Sequence, residues 1–153
     1  MTASRHRVDV DPYTAAGAAF VVVGGLVAAV ARPLDLAKGS WLAAYLVLVC
    51  GVALVVIGVA QQQLTRAIPQ RERTWQLAGW GVANTLVIAG SLSSVPLITD
   101  AGSVVLFATL ALTAWIGRPL LHTHRGAASA YIAVLIILAV SAPIGSFLAH
   151  ARA

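Results

Sequence analysis

Residues 41–60, WLAAYLVLVCGVALVVIGVA, run for a full helix length without a charged side chain. A helix needs roughly 20 mostly apolar residues to cross about 30 Å of hydrocarbon. Four further stretches have the same character, at about 13–31, 75–92, 101–117 and 128–149. This repetition constrains the chain more than any other feature. In lipid every backbone amide must be satisfied within its own segment, so separate apolar spans are helices. A transmembrane barrel would show alternating segments of about ten residues instead. The expectation is an all-α, polytopic membrane bundle of five transmembrane helices in one domain. Only 10% of the 153 residues are charged and 59% are hydrophobic. An ordinary soluble domain carries about 25% charge.

Punctuation between the spans agrees. Arg32-Pro33 closes the first, Ser40 is a candidate cap for the second, and Pro96 is placed to start the fourth early. Asp100 then falls near a helix N-terminus, where the dipole favours an anion. Arg5-His6-Arg7, the apolar run and Ala29-Val30-Ala31 imitate a signal peptide. The run is longer than an h-region and four spans follow, so a retained first span is expected. Pro143 interrupts the last span and frees a carbonyl near Ala139, which Ser141 or Ser146 is placed to help satisfy.

The formal charge of +5 comes from nine arginines and one lysine scattered over the connections. No basic stripe interleaves with aromatics, so nucleic acid is not an expected partner. The charges read as topology signals. Arg5, Arg7, Arg66, Arg71, Arg73, Arg118 and Arg125 fall on one side, and Arg32, Lys38 and Arg152 on the other. Positive residues favour the cytoplasm, which puts the N-terminus inside and the C-terminus outside. Tyr13, Trp75, Trp115 and Tyr131 are expected at the inner interface and Trp41 at the outer one. The Arg, Ala, Val and Gly bias suggests a bacterial chain, hence a multi-pass protein of the plasma membrane.

Small residues at Gly17, Gly24, Gly25, Gly51, Gly58, Gly79, Ala83 and Gly90 are placed to let helix backbones approach closely. The polar residues deepest in the spans are Asn84 and Thr85, with Gln61 opening a Gln61-Gln62-Gln63 run at the inner end of the second span. They read as interhelical glue, or as the lining of a path. No Asp, Glu, Lys or Arg lies at mid-membrane depth, which argues against a proton-coupled transporter and an intramembrane carboxylate enzyme. Cys50 is the single cysteine, so an internal disulfide is excluded.

Two constellations remain as candidate ligand sites. His122 and His124 form an HxH pair in the inner loop, able in principle to hold haem or a metal if further ligands join them. Asp35, Asp100 and His150 come from three segments on the outer side and would form a carboxylate–imidazole metal site if they converged. No nucleotide-binding, metalloprotease or serine-hydrolase motif is present, so an enzyme reading lacks support.

The segment GSWLAAYLVLVCGVALVVIGVAQQQ, residues 39–63, and SAPIGSFLA, residues 141–149, resemble small polytopic membrane proteins of actinobacteria. These are similar to the membrane part of NnrS-like and multicopper-oxidase-like proteins. The resemblance covers about a third of the chain and implies a respiratory or metal-related membrane, with haem or copper as possible cofactors. Where that pattern often has a histidine after W-L-A, this chain has Tyr45. The functional expectation is a non-catalytic accessory or assembly subunit of a larger membrane complex. Its rivals are a small homo-oligomeric channel or transporter and a haem- or copper-linked redox module.

Overall fold

The computed structural model describes residues 11–64, 68–119 and 125–151, with the side chains of 125, 145, 146 and 148–151 outside the description. These residues form five helices: α1 Pro12–Ala31, α2 Gly39–Gln62, α3 Gln70–Ser93, α4 Pro96–Gly117 and α5 Arg125–Ala151. No strand occurs among them.

Local chemistry sets the helix ends. The Asp11 carboxylate accepts from the amides of Tyr13 and Thr14, and Pro12 occupies the first helical turn of α1. The chain leaves α1 at Arg32 and turns through Asp35, whose φ of 47° is left-handed. α2 begins at Gly39 with Lys38 as the flanking residue and no side-chain cap. Ser40 therefore lies inside the helix and is not its cap. Ser94 ends α3 in the left-handed region, φ 56°, and Pro96 starts α4 as expected. α5 continues through Pro143. The Ser141 hydroxyl donates to the Leu138 carbonyl at 3.1 Å, one residue before the expected acceptor.

The middle of α2 is unusual. Residues Leu46–Val52 form a π-helical stretch. A π turn widens the helix and shifts the phase of the residues after it. It lies along the seam where α2 packs on α1. A Cβ on Gly51 would come within 2.6 Å of Val21 Cγ2 and 3.1 Å of the Gly17 carbonyl oxygen. Gly17 and Gly24 meet α2 in the same way. Backbone thus packs on backbone along this seam, as the small residues require. Gly25 points into open space and takes no part.

Each helix runs antiparallel to the next. Gly79 faces Thr109 and Gly90 faces Thr99 across α3 and α4, and Gly117 lies under the Tyr131 ring across α4 and α5. The start of α1 therefore shares one end of the bundle, the near end, with Gln62, Gln70, Gly117 and Arg125. A core of Tyr13, Leu54, Ile57, Trp80, Leu106 and Leu138, among others, joins all five helices.

Four helical stretches are long and apolar enough to cross a membrane: Pro12–Ala31, Gly39–Gln62, Pro96–Gly117 and Gly126–Ile144. The expected third span, 75–92, is a helix but is not among the four. α3 starts earlier, on Arg71, Glu72 and Arg73, and its body carries Gln76 and Asn84, which dilute its apolar character. Large apolar side chains such as Val22, Leu26, Leu48, Val104, Ile137 and Phe147 face outward. Monomeric soluble proteins rarely expose so much contiguous apolar surface, and hydrocarbon is the solvent that suits it.

Candidate functional site

Polar side chains from all five helices meet at the near end. Asp11, already the cap of α1, receives Arg73 Nη2 of α3 at 2.8 Å. The Arg73 guanidinium lies 5.8 Å from the centroid of the Tyr13 ring. The Tyr13 hydroxyl donates to Gln76 Oε1 of α3, with the Arg73 carbonyl at 3.3 Å. Gln76 Nε2 then donates to Thr113 Oγ1 of α4 at 3.2 Å. The Tyr131 hydroxyl of α5 donates to the Thr113 carbonyl and accepts from Gln61 Nε2 of α2 at 3.4 Å.

The result is a chain of contacts from Asp11 to Gln61 that touches every helix. Its members can reach each other because each lies within about 9 Å of its helix end along the axis, at 1.5 Å per residue. Glycines make room. A Cβ on Gly58 would come within 2.7 Å of Tyr13 Cβ and 2.8 Å of Asp11 Oδ2, and one on Gly117 would strike the Tyr131 ring. Thr14 Oγ1, Gln61 Oε1 and Arg73 Nε are buried here without a hydrogen-bond partner among the described residues. Phenols and amides carry no charge near neutral pH, and they both donate and accept. The arrangement suits a hydrogen-bonded frame between helices.

Two smaller contacts continue this pattern toward the far end. The Tyr45 hydroxyl donates to Asn84 Oδ1 at 2.8 Å, and Asn84 Nδ2 donates to the Trp80 carbonyl at 2.8 Å. Trp41 stacks on Tyr45 with ring centroids 5.3 Å apart. At the far end Lys38 Nζ donates to the Ser91 carbonyl, lies 3.4 Å from that of Leu92, and reaches Ser94 Oγ at 2.9 Å. A cation there complements the negative end of the α3 dipole.

The expected site residues fare differently. Asn84 is buried glue between α2 and α3, whereas Thr85 is exposed and does not join it. Gln61 turns inward, at 5% exposure, while Gln62 and Gln63 face out. His122 and His124 lie outside the described residues. Asp35 is exposed in the turn after α1, Asp100 is half-buried in α4, and His150 is described only in its backbone, in α5. No group of three or more metal-ligating side chains occurs among the described residues. Tyr13 and Tyr131 depart from the expected aromatic belt. Both are buried in the polar frame, while Trp75 and Trp115 stay exposed, with Arg118 4.2 Å over the Trp115 ring.

Sequence reasoning missed the frame because it assigned these tyrosines to the interface. The available signal was depth: Tyr13, Gln61, Gln76, Thr113 and Tyr131 all fall near helix ends on one side. No family model, curated protein or solved structure matches the chain.

Proposed function

We propose that this chain is a non-catalytic integral membrane protein of the bacterial plasma membrane, acting as an accessory or assembly subunit of a larger complex. In this reading all five helices cross the bilayer, with the N-terminus cytoplasmic and the C-terminus outside. The observation that carries it is the contrast between interior and rim. Tyr13, Gln61, Gln76, Asn84, Thr113 and Tyr131 are bonded across helices, which uses them for assembly rather than for a path. The apolar windows of α1 and α5, by contrast, are each only 17% buried within the protein. Such faces suit lipid or the helices of another membrane subunit.

The five-span topology rests on the antiparallel run of α3, whose two connections lie at opposite ends of the bundle. α3 enters lipid in spite of Gln76 and Asn84 because α1 and α4 satisfy Gln76, while Tyr45 of α2 and the Trp80 carbonyl of α3 itself satisfy Asn84. The orientation rests on the arginine excess at the near end, where Arg71, Arg73 and Arg118 lie. A respiratory complex is the favoured setting, from the resemblance of residues 39–63 and 141–149.

The test is native mass spectrometry of the protein released gently from its own host membrane. It is paired with cross-linking from Leu26→Cys, on the outward face of α1, in a Cys50→Ala background. The expected result is a heteromeric assembly of fixed stoichiometry, cross-linked through α1. A bare homo-oligomer that conducts ions in liposomes would replace this reading with the channel. A mass of one chain plus haem or copper would replace it with the redox module.

A further inference from the structure

At the far end, α1 and α2 leave a groove of about 360 Å³ along their outer seam. Its walls include Ala28, Ala44, Val47 and Leu48, and its lining ends at Arg32 and Ser40. The two ends of this groove differ in chemistry. Arg32 follows the last turn of α1 and Ser40 sits in the first turn of α2, so the polar pair marks the level where the helices leave hydrocarbon. From Ser40 to Leu48 the helix descends about 12 Å at 1.5 Å per residue. One leaflet of hydrocarbon is about 15 Å deep, half of the bilayer core. The volume falls in the range of ligand sites, roughly 300–1,000 Å³.

The charge at the mouth has no ion-pair partner among the described residues. No carboxylate lines the groove. Lys38, the nearest other described cation in the same connection, is held on the α3 carbonyls. The Arg32 carbonyl accepts from the Asp35 amide at 3.1 Å, but the Arg32 side chain has no hydrogen-bond, ion-pair or ring partner among the described residues. A guanidinium with free donors, beside a hydroxyl and above an apolar slot, matches an anionic phosphate esterified to a long chain. The planar donors of arginine can bind phosphate oxygens in pairs.

We propose that this groove is a phospholipid site. One acyl chain lies along Ala28, Ala44, Val47 and Leu48, and the phosphate of an anionic headgroup rests on Arg32 and Ser40. Alanine in these positions keeps the slot open. The site is independent of the accessory reading, since a lipid would bind there whatever the chain assembles with.

The experiment is native mass spectrometry of the full chain in detergent, titrated with phosphatidylglycerol or with phosphatidylcholine of equal chain length. One phosphatidylglycerol is expected per chain, retained about tenfold better than phosphatidylcholine, a preference on the order of 1.4 kcal/mol. Arg32→Ala should abolish the preference. Ala44→Phe should abolish retention of both lipids by filling the slot, and Ala28→Leu is the second filling variant should the first not fold. Equal retention of the two lipids, or an undiminished preference in Arg32→Ala, would overturn the proposal. So would a dimer that forms in place of lipid binding and is lost in Arg32→Ala.

Discussion

α1 and α3 solve opposite problems. α1 has a mean hydropathy of 2.1 and is apolar enough to cross a membrane on its own composition. It is fastened to α2 by backbone contact at Gly17, Gly24 and Gly51, with one polar tie at its start through Asp11 and Tyr13. α3 lacks that apolarity. It is held by side chains: Arg73 to Asp11, Gln76 to Tyr13 and Thr113, Asn84 to Tyr45, and its last carbonyls to Lys38. Lipid competes poorly for close packing of small residues, and it does not compete at all for hydrogen bonds. An apolar helix can therefore be attached by shape alone, whereas a helix with buried amides has to be attached by polar partners.

The largest break should come at the α1–α2 seam. Gly51→Leu would force a side chain into Val21 and the Gly17 carbonyl, with backbone on both sides unable to yield. Overpacking of this kind costs about 3 kcal/mol. Equilibrium unfolding in mixed micelles should show that loss, while α3 keeps its polar contacts. A loss below about 1 kcal/mol would mean that the helices separate without penalty, and that backbone packing is not what holds α1.

A smaller effect is expected where α3 meets α1. Arg73→Ala leaves the Asp11 carboxylate, 7% exposed, with only its two amide donors. Breaking a fully buried pair costs about 3–5 kcal/mol, but Arg73 is 32% exposed and solvent screens it, so about 1–2 kcal/mol is expected. The same unfolding assay, with Asp11→Asn and the double variant, gives the coupling energy. A coupling near zero would make the ion pair incidental.

The smallest effect is also the sharpest. Under the five-span proposal, Asn84→Leu should raise the membrane insertion of α3 on its own, scored by a glycosylation tag, since leucine favours the bilayer. Yet it removes the bond from Tyr45, so bundle stability should fall by about 0.6 kcal/mol, the average for such bonds in membranes. Gains in both insertion and stability would show that Asn84 is tolerated rather than used.

Much of the architecture is legible in the sequence. Four of the expected spans correspond to apolar helices because hydrocarbon thickness imposes a length that composition alone can meet. Gly17, Gly24 and Gly51 were legible as packing residues because a missing side chain has few other uses on a lipid-exposed helix. The third span was less legible. Its helix was readable from Trp75 to Leu92, but not its start at Gln70, since Arg71, Glu72 and Arg73 read as loop charges until Asp11 is seen to pair with Arg73. The candidate ligands were the least legible. Asp35, Asp100 and His150 share a side of the membrane in sequence, and a shared side says nothing about distance across a bundle.

The sequence by itself determined the helices of the described residues, their approximate ends and most of the seam residues, because these follow from apolar length, proline placement and side-chain size. Only the tertiary structure decided that Tyr13 and Tyr131 turn inward to Gln76, Thr113 and Gln61. Helix rotation about its own axis carries almost no cost in uniform lipid. Which face turns inward is set by hydrogen-bond partners on other helices, and those partners exist only once the bundle has assembled.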